Sequence, residues 1–220
     1  MSRCLVLSFL FILSGSLLRA EDVKALRWEK DIQAFEAQDR VKPPPKDPIL
    51  FVGSSSIRMW KVEESFPDLP VMNRGFGGSE ISDSVYYANR IVIPYKPKII
   101  VFYAGDNDLA AGKTPDQVCE DFKQFVKVVH EALPETRIVF ISIKPSIARW
   151  KIYDKGQKAN ELIAASMKDK KFVAYVDVTK PMLDSNGEPR KELFVKDGLH
   201  MNDEGYRIWR DIVQPIILAK

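Results

Sequence analysis

Five short apolar runs, separated by stretches with helical periodicity, constrain the fold of this 220-residue chain more than any other feature. Each run is continuously hydrophobic, which is typical of strands that are buried on both faces. The predicted strands cover residues 49–52, 71–73, 99–103, 137–144 and 172–178. Strands that alternate with helices predict an α/β fold, in which a five-stranded, mainly parallel sheet lies between two helical layers as a three-layer α/β/α sandwich.

The stretches between the strands have the spacing of amphipathic helices. The predicted helices cover residues 22–40, 81–93, 115–133, 153–167 and 206–218. We expect the first of them to lie across the outside of the domain, and Pro43-Pro44-Pro45 to end it and form a stiff connector. Residues 21–47 are thus predicted to be a helix and a proline-rich connector, followed by one domain over residues 48–220.

The first twenty residues have the pattern of a signal peptide. Met1-Ser2-Arg3 is a basic start, residues 4–18 are almost wholly apolar, and Ala20 precedes an acidic pair. We expect cleavage near Ala20 and a periplasmic or secreted product. The apolar run is short for a membrane span, so no stable span is expected after cleavage. An uncleaved anchor is the alternative.

Charge and cysteine content exclude several classes of function. The formal charge of the chain is +3, and removal of Arg3 and Arg19 leaves +1. A charge this small does not indicate a surface that binds nucleic acid or an anionic membrane. Without Cys4, Cys119 stands alone, so neither an intrachain disulfide nor a thiolate metal cluster can form. Cys119 is expected to be a buried thiol on a helix.

Four polar or glycine-rich loops follow strands or precede the last helix. They cover residues 53–56, 75–79, 105–108 and 197–200. Open parallel sheets place their working residues beyond the carboxyl ends of the strands. Although these loops are far apart in sequence, we expect them to converge.

The first and last of these loops contain the groups of a nucleophilic site. Three serines follow Gly53 where a helix should begin, and each is a candidate nucleophile or a helix N-cap. A serine needs a base, and the chain has two histidines. His200 follows Asp197 by three residues, so one turn can bring the carboxylate to the ring; a surface turn capped by Asp197 is the alternative. His130, near a helix end, is expected to interact with the helix dipole.

The middle loops offer hydrogen-bond donors. The Asn107 amide and the Gly78 N–H can each stabilise a developing oxyanion, although Asn107 can also simply shape an Asx turn. Calcium binding is disfavoured because Ala110 and Ala111 occupy the next ligand and glycine positions. Phosphate binding is disfavoured because the glycine loop lacks the dinucleotide fingerprint and the P-loop lysine.

The four blocks, in this order, resemble the SGNH hydrolases, also called the GDSL esterase/lipase family. The blocks are Gly53-Ser54-Ser55, the turn from Asn73 to Gly78, Gly105-Asp106-Asn107-Asp108, and Asp197 to His200. They span about residues 48–205 and imply the SGNH fold, which is flavodoxin-like. One position departs from the family pattern, because Ser54 stands where the family usually has Asp. The Gly-x-Ser-x-Gly elbow of α/β-hydrolases is absent, since Ile57 replaces its second glycine.

The resemblance implies a role for each of five residues. Ser55 would be the nucleophile, His200 the base and Asp197 the acid that orients it. The oxyanion hole would consist of Gly78, Asn107 and the N–H of Ser55. Neither a metal nor an organic cofactor is implied.

These observations together predict a secreted serine esterase that hydrolyses carboxylic esters by a Ser-His-Asp mechanism. The short loops favour small acyl groups, such as acetyl esters on carbohydrate, so the expected partner is a small-molecule or carbohydrate ester. Lysophospholipase or thioesterase activity is an alternative that uses the same machinery. A secreted binding module without turnover is an alternative of a different class.

Overall fold

The computed structural model describes residues 26–219 and contains one five-stranded sheet. Its strands are β1 (Ile49–Gly53), β2 (Val71–Gly75), β3 (Ile99–Tyr103), β4 (Arg137–Ile141) and β5 (Val173–Val176). The strands lie in the order β2-β1-β3-β4-β5, and every neighbouring pair is parallel. The predicted α/β fold is therefore confirmed, and its sheet is parallel throughout.

Helices cover both faces of the sheet. They are α1 (Glu29–Val41), α2 (Ser55–Arg58), α3 (Val62–Ser65), α4 (Ile81–Ile91), α5 (Asp106–Ala110), α6 (Pro115–Ala132), α7 (Tyr153–Met167) and α8 (Asp203–Leu218). Short 3-10 segments cover Leu26–Trp28, Ile93–Tyr95, Ile147–Ile152, Lys180–Met182 and Lys191–Leu193. No helix within residues 26–219 is long and apolar enough to cross a bilayer.

Two hydrophobic clusters, one on each face of the sheet, make up the core. Successive side chains of a strand point to opposite faces, so Leu50 joins the cluster under α4, α6 and α7, whereas Phe51 joins the cluster under α2, α3 and α8. All five residues of β1 are buried, as expected for a central strand that is covered on both sides. Cys119 is a buried free thiol on α6, as predicted.

Some predicted element ends differ from the structure. Helix α8 begins three residues before the predicted start, because the Asn202 side chain caps it by accepting from the N–H groups of Glu204 and Gly205. Strand β4 ends at Ile141 instead of continuing to Lys144. The predicted signal peptide over residues 1–20 and the first residues of the predicted helix over 22–40 lie outside the described residues.

The strand order places β1 between β2 and β3, where the direction of the chain across the sheet reverses. Ligands of open α/β sheets bind at this point, beyond the carboxyl ends of the strands. Gly53 ends β1 with φ +142°, and a Cβ atom there would lie 1.8 Å from the carbonyl oxygen of Tyr103. Only glycine therefore lets the chain turn this close to β3.

Candidate active site

The serine turn lies directly beyond β1. The N–H of Ser54 donates to the carbonyl of Tyr103 at 3.0 Å, and the N–H of Phe76 donates to the carbonyl of Gly53 at 2.9 Å. These bonds hold the turn to the ends of both neighbouring strands. Ser54 occupies the N-cap position of α2, but its side chain makes no capping hydrogen bond. Its buried hydroxyl has no hydrogen-bond partner within residues 26–219. Ser55 is the first residue of α2.

The structure brings His200 to Ser55 and Asp197 to His200. The Nε2 atom of His200 lies 2.8 Å from Oγ of Ser55, and its Nδ1 atom lies 2.6 Å from Oδ2 of Asp197. The other oxygen of Asp197 accepts from the N–H groups of Leu199 and His200 at 2.8 and 2.9 Å. One carboxylate thus closes the turn and orients the ring, so the surface turn and the Ser-His-Asp arrangement are parts of the same structure.

The carboxylate of Asp197 stays ionised to low pH. Partial burial raises its pKa, but hydrogen bonds from the ring and backbone of His200 and from the N–H of Leu199 outweigh that effect and lower the pKa to about 2. The side chain of Asp197 is 48% exposed and that of His200 is 21% exposed. A permanently charged carboxylate next to Nδ1 favours the tautomer in which Nε2 is free to accept a proton.

Asn107 joins the loops after β2 and β3. Its Nδ2 donates to the carbonyl of Ser79 at 2.9 Å, and its Oδ1 accepts from Arg149 at 2.8 Å. Its side chain therefore crosslinks loops instead of closing an Asx turn. Because a side-chain amide has two N–H donors, one remains for a reacting oxygen. Arg149 also donates to the carbonyl of Asp106, which fixes the amide from the opposite side.

Gly78, the other candidate oxyanion donor, lies in the glycine loop after β2 with φ +77°. A Cβ atom at Gly78 would lie 3.2 Å from the ring of Trp28, so the segment before α1 packs directly against this loop. The Trp28 ring also meets Phe76 edge to face, with centroids 5.9 Å apart. The N-terminal segment therefore supports the glycine loop, which the sequence did not indicate.

Sequence reasoning missed a buried lysine beneath the site. Nζ of Lys144 lies 3.2 Å from both Oγ of Ser56 and the hydroxyl of Tyr103, and 3.5 Å from a carboxylate oxygen of Asp106. Its side chain is fully buried, and this burial lowers the pKa of its ammonium group, against the opposing effect of Asp106. The sequence does contain a signal for Lys144. The residue comes just after the apolar run of β4, and the ends of parallel strands place it at the same sheet edge as the other loops.

Arginine, tryptophan and histidine side chains that stand out in the sequence make other contacts, away from the Ser-His-Asp arrangement. Arg74 is buried in an ion pair with Asp39, and the ring of Trp60 packs among the core aromatics. His130 is on α6 and stacks on Phe172 with centroids 3.9 Å apart. Within residues 26–219, no cluster of three or more His, Cys, Asp or Glu side chains is arranged to hold a metal ion.

Comparison with known proteins finds a matching family model and similar proteins. The model of the GDSL-like lipase/acylhydrolase family matches residues 56–208, beginning one residue after Ser55. Platelet-activating factor acetylhydrolase IB subunit alpha1 from Pongo abelii is 26% identical over 189 residues, which cover 82% of this chain and 78% of that protein.

Solved structures share the fold. A GDSL-like lipase from Bacteroides thetaiotaomicron superposes with a TM-score of 0.71 at 21% identity, over 84% of this chain and 96% of that one. A carbohydrate esterase of family 3 from Talaromyces cellulolyticus superposes with a TM-score of 0.63 at 17% identity, over 79% of this chain and 97% of that one. With the family model spanning most of its length, the chain belongs to the GDSL-like lipase/acylhydrolase family, the SGNH hydrolases that its four sequence blocks resemble.

Proposed function

We propose that this protein is a serine esterase that hydrolyses carboxylic esters with short acyl groups. The observation that carries the proposal is the continuous chain of contacts from Oγ of Ser55 through the ring of His200 to the carboxylate of Asp197. A hydroxyl is a weak nucleophile until a base accepts its proton, and this geometry supplies both the base and the group that orients it.

The reaction proceeds in two halves. Oγ of Ser55 attacks the acyl carbon while Nε2 of His200 accepts the hydroxyl proton, which His200 then returns to the departing alcohol. A water molecule, activated by the same nitrogen, then attacks the acyl-enzyme and releases the carboxylic acid. The carboxylate of Asp197 stays ionised throughout and stabilises the imidazolium that forms in each half of the reaction.

The negative charge on the acyl oxygen requires donors that are already in place. We assign this role to the N–H groups of Ser55 and Gly78 and to the remaining amide N–H of Asn107. The hydrogen bonds of Asn107 to Ser79 and Arg149 restrain its amide before substrate binds. Preorganised donors of this kind stabilise the transition state without reorganisation during the reaction.

Acetyl esters are the favoured substrates, including acetylated carbohydrates. The loops directly beyond β1, β2 and β3 are short, since the next helices begin at Ser55, Ile81 and Asp106, so these loops supply little material for a long acyl tunnel. The names of two similar proteins, an acetylhydrolase subunit and a carbohydrate esterase, support this choice. Lysophospholipids and thioesters would use the same machinery and are the alternative substrates.

We also propose that the protein is exported, on the basis of the basic start, apolar run and small residue before Glu21. N-terminal sequencing of the protein recovered from outside the cytoplasm tests this. A start at or near residue 21 is the expected result. Recovery of the full-length chain in the cytoplasm would contradict export.

The decisive test of the activity is hydrolysis of p-nitrophenyl esters, from acetyl to palmitoyl. We expect turnover to fall with acyl length and to be abolished in Ser55→Ala. Ser54→Ala is the matched control, because it removes a neighbouring hydroxyl that has no hydrogen-bond partner in the described chain, and it should keep its activity. Loss of activity in Ser54→Ala but not in Ser55→Ala would refute the assignment. No turnover of any ester by the folded protein would favour the binding module.

A further inference from the structure

The exposed Arg58 guanidinium lies beside the candidate site and has no acidic partner. Arg58 is the last residue of α2, three positions after Ser55, so the two residues lie on the same side of this helical turn. Other arginines at functional loops are occupied, as Arg74 is by Asp39 and Arg149 is by Asn107. The side chain of Arg58 makes neither a hydrogen bond nor an ion pair with any residue of the described chain.

The guanidinium of Arg58 is held face-on against the glycine loop. A Cβ atom on Gly77 would lie 2.6, 2.7 and 2.8 Å from its Cζ, Nη1 and Nη2 atoms, so the flat face covers Gly77. The N–H groups of a guanidinium lie in its plane and therefore point along the surface, available to a ligand. Gly77 directly precedes Gly78, whose N–H is a proposed oxyanion donor. The cation therefore lies against the residue that precedes a proposed oxyanion donor.

The position of Arg58 is also fixed by the backbone. A Cβ atom on Gly75 would lie 2.2 Å from the backbone nitrogen of Arg58, so α2 packs tightly against the end of β2. This close approach removes the freedom of the main chain from which the side chain extends.

An open cavity of about 370 Å³ begins at Arg58 and runs between the proline connector and β2. Such a volume is within the range of small-molecule sites and exceeds the needs of an acetyl group. Among the charged residues of its lining, the basic ones outnumber the acidic ones, and Arg74 is paired with Asp39. The basic side chains are Lys42, Arg58, Lys61 and Arg74, against the acidic Asp39 and Glu63. The cavity is lined by none of the proposed catalytic or oxyanion residues and meets the serine turn through Arg58, so it suits a negatively charged part of the alcohol half that lies away from the ester bond.

We infer that the natural substrate is an ester of an anionic alcohol, with a carboxylate or phosphate that Arg58 binds beside the glycine loop. This inference rests on the proposed esterase function and specifies its substrate class. Arg58 acts on binding of the alcohol half, while Ser55 and His200 carry out the chemistry. A planar guanidinium can contact either anion through two parallel N–H groups.

The test compares two esters of equal shape, 4-acetoxybenzoate and 4-acetoxybenzamide, which differ in the charge of the leaving group. The readout is the ratio of their kcat/KM values, measured in the wild type and in variants, so that the intrinsic reactivity of each ester cancels. We expect Arg58→Gln to lower the ratio about tenfold, mainly through KM of the anionic ester, as for loss of a charge-assisted hydrogen bond. Arg58→Lys should lower it less, because the charge remains.

Arg40→Gln is the charge-matched control, since Arg40 is an exposed residue of α1 and lines neither the cavity nor the site. It should leave the ratio unchanged. A ratio that is unaltered in Arg58→Gln, including an equal loss on both esters, would overturn this inference while Ser55-dependent turnover kept the esterase proposal intact. Absence of turnover of both esters by the wild type would instead overturn the esterase proposal, and this inference with it.

Discussion

The Nε2 atom of His200 lies 2.8 Å from Oγ of Ser55, although 145 positions separate the two residues in the chain. Ser55 comes directly after the central strand β1, and His200 lies in the loop that leads to α8. Because α8 packs on the same face of the sheet as α2, its preceding loop reaches the edge where β1 ends. The pair is therefore a product of sheet topology, and its chemistry can be tested residue by residue.

Replacing the carboxylate of Asp197 should slow turnover without removing the nucleophile. Asp197→Asn keeps the size of the side chain but no longer fixes the ring tautomer through a charge. We expect kcat to fall about 10²–10³-fold, less than for a fully buried orienting acid, because water reaches this half-exposed carboxylate. Steady-state kinetics on p-nitrophenyl acetate measure the loss. A change confined to KM would contradict the orienting role.

The lowered pKa of Asp197 predicts an acid-dependent loss of stability. A carboxyl group whose folded-state pKa is about 2 stabilises the fold above its unfolded pKa and loses that contribution as the pH falls through about 2. The difference in the free energy of unfolding between wild type and Asp197→Asn should therefore shrink as the pH falls below about 4. Urea denaturation at several pH values measures it. A difference in the free energy of unfolding that grows as the pH falls below about 4 would contradict this assignment.

Removing the amide of Asn107 should weaken stabilisation of the oxyanion. Asn107→Ala is expected to lower kcat on the order of 10²-fold with little change in KM, the usual consequence of losing one such donor. Arg149→Gln tests the restraint on that amide, because Oδ1 of Asn107 accepts from Arg149. Its effect should be smaller and should nearly vanish in the Asn107→Ala background. Additive losses in the double variant would show that Arg149 acts independently of Asn107.

The buried pair of Lys144 and Asp106 should be strongly coupled in stability. Lys144→Met leaves the Asp106 carboxylate without its ammonium partner and is expected to cost about 3 kcal/mol in the free energy of unfolding. The double variant Lys144→Met/Asp106→Asn removes both charges, so it should recover part of that loss. Chemical denaturation of the single and double variants gives the coupling energy. If the losses in the free energy of unfolding of the two single variants simply add up in the double variant, Lys144 and Asp106 are not energetically coupled.

Gly53→Ala should be among the most damaging single-methyl additions in the chain. The new Cβ atom would lie 1.8 Å from the carbonyl oxygen of Tyr103, which belongs to the sheet and cannot move away. We expect a loss of about 4 kcal/mol or more in the free energy of unfolding. Gly112→Ala is the control, because Gly112 also has positive φ but has no atom within 4 Å of the new methyl group. It should cost only about 1–2 kcal/mol of backbone strain.

Most of the fold was predictable from the sequence, because continuous apolar runs and amphipathic periodicity are local properties. The strand at residues 99–103 and the helix at 153–167 have the predicted bounds. The ends of helices and strands were less predictable where they depend on contacts with other segments. The extra turn at the start of α8 depends on how the side chain of Asn202 folds back, and β4 ends where its partner strand β5 ends, with Ile141 opposite Val176.

The sequence by itself determined the class of the fold and the candidate residues Ser55, Asp197 and His200, because residue type and spacing within each loop are local information. Only the tertiary structure decided that the ring of His200 reaches Ser55, that Lys144 lies buried beneath the site, and that Arg58 lies across Gly77. The physical reason is that these contacts join segments far apart in the chain. Their distances depend on strand order and helix packing, which no local pattern encodes.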